Sequence, residues 1–310
     1  MASLTLDSLK STNIFPPEFS GKVITKAIQD SVVKKLAGDQ LALPITGSSI
    51  AVQTSRPEAG VVGEAGMKPV TNLGLGSKVL RPIKVAAIIT WSEELAKADK
   101  FGLEGVIQQQ LAGAITRAFD LAVLHGKSTS GQAIPGVEYV NQTTKRVELG
   151  TTTQTKGGIS GDLIAGIKAI QDARLGYRVN GLAADDSLRL ELMGATDTNG
   201  RPIYQSSLDL SDDMGKVFGL PTAYGDAVSG QVGTNADTKV RALGGDWSQL
   251  VYGFANEITF RYSNEATLTD GSTITNLFQT NQEALLCEAS FGWAIADTNA
   301  FFALEDKVKP

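Results

Sequence analysis

His125 is the only histidine in the chain and Cys287 the only cysteine. A Ser-His-Asp or Cys-His centre would have to use His125, and a histidine-ligated metal would have one such ligand at most. His125 closes a long periodic run, where the negative end of a helix dipole favours an imidazolium. A structural role is expected for it. Gly126-Lys127-Ser128 resembles the end of a phosphate-binding loop, but that motif needs a glycine five residues earlier, where Leu121 stands. It should also follow a strand and open a helix, and this one follows a helix. Asp197-Thr198-Asn199-Gly200 matches half a calcium loop. Position 195 is alanine and no glutamate follows at the required place, so a plain turn is expected. Glu93/Glu94 and Asp185/Asp186 are paired acids at helix starts, where capping accounts for them. Cys287 lies on the apolar face of a strand and reads as a buried small hydrophobe. No catalytic, cofactor-binding or metal-ligating residue is assigned. The chain reads as a non-enzyme without a cofactor.

The elements around these residues are clearer than the residues themselves. Leu103, Ile107, Leu111, Ile115, Phe119 and Val123 stand four apart, with Ala114, Ala118 and Ala122 widening the stripe. A row at that spacing drifts about 40° per step, so the stripe winds round a helix about 35 Å long and meets different neighbours at its two ends. Gln108, Gln109, Arg117 and Asp120 are placed on its polar side. Gly105 and Gly113 each cost about 1 kcal/mol against alanine, which such burial offsets. Ser20 is expected to cap a short amphipathic helix reaching Ala37, with Ile24, Ile28, Val32 and Leu36 in one row and Gly38 as the stop. Thr90-Trp91-Ser92-Glu93 fits a capping box. Ser160 is expected to open a helix with Leu163, Ile167 and Ile170 inward, and Asp185/Asp186 to cap one over 187–193. Short strands alternate with loops from Ile203 to Phe278, where Ile258, Phe260 and Tyr262 show period two. Leu285, Cys287, Ala289, Phe291, Trp293 and Ile295 share one face of a long half-buried strand.

Between Ile45 and Trp91 two β-leaning stretches flank a loop holding Gly60, Gly63, Gly66, Gly74 and Gly76, with Pro57 and Pro69. Folded back on itself, 50–77 has arms of about 45 Å. A compact chain of this length has a radius of gyration of about 20 Å. The loop wraps the body or leaves it, and a β-arm that leaves needs another surface to lie on. Pro82 excludes a central strand position for the second arm.

The totals fit a soluble assembly subunit. The 310 residues are 42% hydrophobic and 20% charged, with net charge −5, which argues against tight duplex binding by the whole surface. Residues 1–180 carry 20 Lys+Arg against 15 Asp+Glu, while 181–310 carry 8 against 18. Such a dipolar chain suits contact between the basic portion of one copy and the acidic portion of another. No apolar run reaches membrane length, and Asp7 interrupts the N-terminal segment where a secretory signal would be apolar. One cysteine permits no internal disulfide.

The order of parts resembles the major capsid proteins of tailed bacteriophages with the Hong Kong 97-type fold. The glycine-rich hairpin is similar to that family's extended loop, and Leu103 to His125 to its spine helix. HGKSTSGQAIPGV (125–137), DTNGRPIY (197–204), VFGLPTAYGD (217–226), GDWSQLVYG (245–253), EITFRYSNEA (257–266) and QEALLCEASFGWAIADTNAFFALE (282–305) resemble its later segments in order. The resemblance implies an α+β fold with an N-terminal arm and short helix (1–44) and an extended hairpin (45–91). A peripheral domain with the spine helix and long strand (92–135 and 282–310) and an axial domain (136–281) complete it. It implies a shell subunit forming hexamers and pentamers around double-stranded DNA that it does not read by sequence. It further implies a separate scaffolding protein, a portal, a decoration protein and no membrane. The expected location is the virion, after assembly in the host cytoplasm. Some relatives join a loop lysine to a neighbour's asparagine; Lys68, Lys78, Asn281 and Asn299 do not align with that motif and are read without that role. An encapsulin-like compartment shell and, in a different class, a soluble hydrolase are the alternatives.

Overall fold

A computed structural model describes residues 30–38, 40–64, 66–97, 102–204, 213–271 and 273–307. The chain runs α1 (Val32–Leu36), β1 (Gln40–Ala42), β2 (Ser48–Gln53), β3 (Leu75–Leu80), β4 (Ile83–Ser92), α2 (Glu93–Lys97) and α3 (Leu103–His125). Then come β5 (Arg146–Glu148), α4 (Ile159–Asp172), β6 (Gly181–Ala184), α5 (Asp186–Met193), β7 (Met214–Val217), β8 (Leu220–Tyr224) and β9 (Val240–Gly245). It closes with β10 (Leu250–Ser263), β11 (Thr267–Asp270), β12 (Thr273–Asn276), β13 (Gln282–Ile295) and β14 (Phe301–Glu305). One sheet has the order β1-β10-β13-β4 and a larger one β5-β14-β9-β6-β8-β7; β2-β3 and β11-β12 are separate ribbons.

The two sheets are joined where both long strands change layers. β9 leaves the larger sheet through the turn at Trp247–Gln249 and continues as β10 in the smaller. β13 leaves the smaller through Thr298–Ala300 and continues as β14 in the larger. The crossings lie side by side: Ala296 N–H donates to Gln249 C=O and Asp246 N–H to Ala300 C=O. Asp246 and Asp297 cap the two turns, and Trp247 meets Phe301 edge-on at 5.5 Å. The expected division at 281/282 therefore does not separate the sheets. β10 (250–263) pairs antiparallel with β13 along their shared length, so the two cannot lie in different layers, while 301–305 belongs to the larger sheet. The strand expected as one of several short ones in 203–278 is fourteen residues long.

Helix α3 spans Leu103–His125 as the spacing predicts. Its stripe serves two cores. Ile107, Leu111 and Ile115 pack with Trp91, Leu95, Leu285 and Cys287, whereas Phe119, Val123 and Leu124 join the central core with Trp247, Phe291 and Trp293. Phe119 touches the rings of Phe291, Phe254 and Tyr252 at 4.8, 5.5 and 5.7 Å. Gly126 ends the helix with φ +63, its N–H donating to Ala122 C=O. A Cβ there would also come within 2.4 Å of Tyr139, so backbone sign and space both require glycine. The third core lies between α4, α5 and the larger sheet, with Leu163, Ile170, Leu188, Leu192 and Phe302.

Two helix starts differ from expectation, and a third expected helix is only partly described. Residues 20–29 lie outside the described residues, and the described helix α1 begins only after Ser31, which is extended (φ −61, ψ 123) and accepts the Lys34 N–H. A cap in that conformation interrupts any helix arriving from Ser20. Ser92, rather than Thr90, caps α2 by accepting the Leu95 N–H, and Glu93 pairs with Lys97 instead of reaching back. Helix α4 starts at Ile159 after Gly158, and Ser160 meets the Tyr204 hydroxyl.

Candidate assembly surface

The ribbon β2-β3 pairs Ser48 with Leu80 through Gln53 with Leu75. Beyond it the chain runs out and back over 54–74. Thr54 N–H donates to Gly74 C=O, Gly74 N–H to Ser55 Oγ, Glu58 N–H to Thr71 Oγ1, and Gly66 N–H to Gly63 C=O at the tip. These bonds hold the arms together, yet the arms bury almost nothing. Val61, Met67 and Val70 are exposed to 95% or more, and Leu73, Leu75 and Val79 to more than half. At its root the hairpin is fastened to the body. Leu80 is fully buried with Leu43 and Ala294, Lys78 pairs with Glu138, and the Arg56 guanidinium donates to Gly176 C=O. β4 continues past Arg81-Pro82 as the edge of the smaller sheet, where Pro82 permits it. A fixed root carrying a row of exposed apolar side chains is a surface built for another protein surface.

The entry of the N-terminal segment is fixed by a buried carboxylate. Asp120 of α3 accepts hydrogen bonds from Ser31 Oγ and from the N–H groups of Val32 (2.8 Å) and Val33 (3.3 Å). It was placed on the polar side of α3 and is instead 3% exposed. Burial pushes its carboxyl up to about 6, against the pull of those hydrogen bonds and of Lys34. A signal existed: Asp120 is the only polar residue between Ala118 and Leu124, so the helix there is apolar all round and an acid must find partners.

The description "Phage capsid family" matches residues 12–306. The chain belongs to the phage capsid family. Among curated proteins it is 28% identical over 300 residues to a probable major capsid protein, gp17, of Mycobacterium phage D29, covering 94% of this chain and 90% of that one. It is 29% identical to the gp17 of Mycobacterium phage L5, with 93% and 88% covered. The solved structure from Gordonia phage Cozz is 28% identical, covers 97% of this chain and 94% of that one, and has a TM-score of 0.79. These matches place the capsid protein in the Hong Kong 97-like fold and make it a structural protein, not an enzyme. They favour a phage capsid over a cellular compartment shell.

The residues weighed for chemistry have the following surroundings in the fold. His125 is buried; Nε2–H donates to Val228 C=O at 2.9 Å, and Nδ1 accepts from the Asn141 amide at 3.2 Å. Burial, with Lys127 and Arg146 nearby, lowers its pKa to about 4, so the ring is neutral and the helix dipole does not decide its charge. Lys127 and Ser128 open a tight hairpin in which Lys127 bridges Ala133. Asp197 Oδ1 accepts the Asn199 and Arg201 N–H groups, as a turn requires. Asp185 caps α5. Cys287 is fully buried, which raises its thiol pKa. Lys68 is exposed in the loop, the Asn281 C=O accepts from Glu93 N–H, and the Asn299 amide donates to Asp297. Among the described residues no group of three His, Cys, Asp or Glu could hold a metal, and no helix is long and apolar enough to cross a membrane.

Proposed function

We propose that this capsid protein is the repeating subunit of an icosahedral head, forming hexamers and pentamers that enclose double-stranded DNA without reading its sequence. The observation that carries the reading is the hairpin: rooted by Leu80, Lys78 and Arg56, with a row of exposed apolar side chains that nothing among the described residues covers. In this reading it lies on a neighbouring copy. The smaller sheet with α3 is the peripheral domain, which then includes 250–263; the larger sheet with α4 and α5 is the axial domain, which then includes 301–305. Net charge −5 suits a container for a polyanion that must not hold its contents tightly. A separate scaffolding protein, a portal and a decoration protein are the further partners, and assembly takes place in the host cytoplasm before the subunit is found in the virion. Negative-stain microscopy of the purified chain, alone and with a co-expressed scaffold, tests this. Closed shells are expected; monomers under both conditions would overturn it.

A further inference from the structure

The tip of the β7-β8 hairpin holds an aromatic side chain in a backbone conformation that disfavours it. Phe218 has φ +53 and Gly219 φ +76, the two central positions of a two-residue turn whose backbone suits asparagine and glycine. Among the described residues three other non-glycines share a positive φ (Arg174, Lys239 and Asn281), and Phe218 is the only aromatic of the four. The ring gains little from its own chain in return. It is 47% exposed, with an edge-on contact to Tyr204 at 5.9 Å, and the adjacent Ile203 is 45% exposed. The tip also sits on β7, the outermost strand of the larger sheet among the described residues.

The surroundings say what kind of surface the ring would meet. Arg201 and Lys216, each two residues before Ile203 and Phe218 in sequence, are exposed. Neither makes an ion pair among the described residues. They are two of only eight basic residues in 181–310, against eighteen acidic ones. An exposed apolar knob with two cations close by in sequence, on a half that is otherwise acidic, is complementary to that same acidic half on another molecule. Strain kept at an exposed aromatic is the mark of a contact made outside the folded subunit.

We propose that Phe218, with Ile203, Arg201 and Lys216, is an inter-subunit anchor that inserts into the acidic half of a second copy of this chain. The proposal rests on the shell reading above, and its test separates the two. Full-length wild type, Phe218→Asn and Phe218→Gly are compared in two measurements: thermal unfolding of the subunit at a concentration where it sediments as a monomer, and the fraction of protein sedimenting as particles. Asparagine and glycine relieve the positive φ, so the monomer melting temperature should stay level or rise by about 1–2 °C. Loss of the anchor should lower the particle fraction about tenfold or more. Arg201→Glu with Lys216→Glu should lower it as well, and added salt should weaken wild-type association. Normal particles from both Phe218 variants would overturn the anchor while leaving the shell reading intact. A lower monomer melting temperature in both would also overturn it, because the ring would then be serving its own chain. Failure of wild type to form particles at all would overturn the shell reading on which the anchor rests.

Discussion

Asp120 and His125 lie five residues apart on α3, both buried, and burial moves their titrations toward each other. In the fold Asp120 ionises only near pH 6, whereas its ordinary value is 3.8. Between those values the native state holds a proton that the unfolded chain has lost, so stability rises as pH falls. His125 behaves oppositely: it stays neutral in the fold down to about pH 4, while the unfolded chain takes up a proton near 6.5. In that window the unfolded state binds more protons, and stability falls with pH. Each displacement exceeds two pH units, and at about 1.4 kcal/mol per unit each group is worth about 3 kcal/mol across its window. From about pH 6 to 4.5 the two contributions nearly cancel. Removing one should expose the other. Urea unfolding followed by tryptophan fluorescence at those two pH values reads the difference. Relative to wild type, Asp120→Asn should lose about 2 kcal/mol more on acidification, and His125→Gln should lose about 2 kcal/mol less. Variants that track the wild-type change within about 0.5 kcal/mol would refute the account of both sites.

Three further outcomes are expected. Deleting residues 57–76 should leave the subunit folded, with an unchanged circular dichroism melt, but prevent heat-resistant shells from appearing in the microscope. Phe119→Ala removes the ring shared by Tyr252, Phe254 and Phe291 and should cost about 3–5 kcal/mol in chemical denaturation. Gly244→Ala places a Cβ 2.4 Å from the Phe302 ring, which is also pressed by Gly166, so it should cost about 1–3 kcal/mol, and pairing it with Phe302→Leu should recover part of the loss in a double-mutant cycle.

Periodic features were legible in the sequence because one face of each is dry. The α3 row appears at the expected residues, and so does the alternation of β13, where Cys287, Ala289 and Phe291 are all buried. The long loop was legible for the opposite reason, that nothing in 54–74 could form a core. What stayed hidden depends on contacts distant in sequence. The pairing of β10 with β13, which shifts the division between the sheets, leaves no mark on local propensity. Asp120 meets Ser31 across 89 positions. His125 was given the charge that the helix end favours, and only the Val228 carbonyl and the surrounding burial reverse that choice. The strain at Phe218 is likewise a matter of backbone sign, which an isolated Phe-Gly pair does not declare.

The contrast between the crossings and the hairpin bears on how one chain can serve a closed shell. At the crossings, the buried contact of Trp247 with Phe301 fixes the sheets to each other, while Asp246 and Asp297 each cap their own turn, all within one chain. The hairpin has the reverse allocation: a buried root at Leu80 and exposed valines and a methionine beyond it. Its own hydrogen bonds keep the two arms together but do not select a direction for them, because no side chain past Arg56 is anchored to the body among the described contacts. A two-stranded ribbon of this kind takes its final course from whatever surface covers it. Subunits in differently curved surroundings can then share one body and differ mainly in where the ribbon lies. That is the arrangement expected if the apolar row is covered only after neighbouring copies have come together.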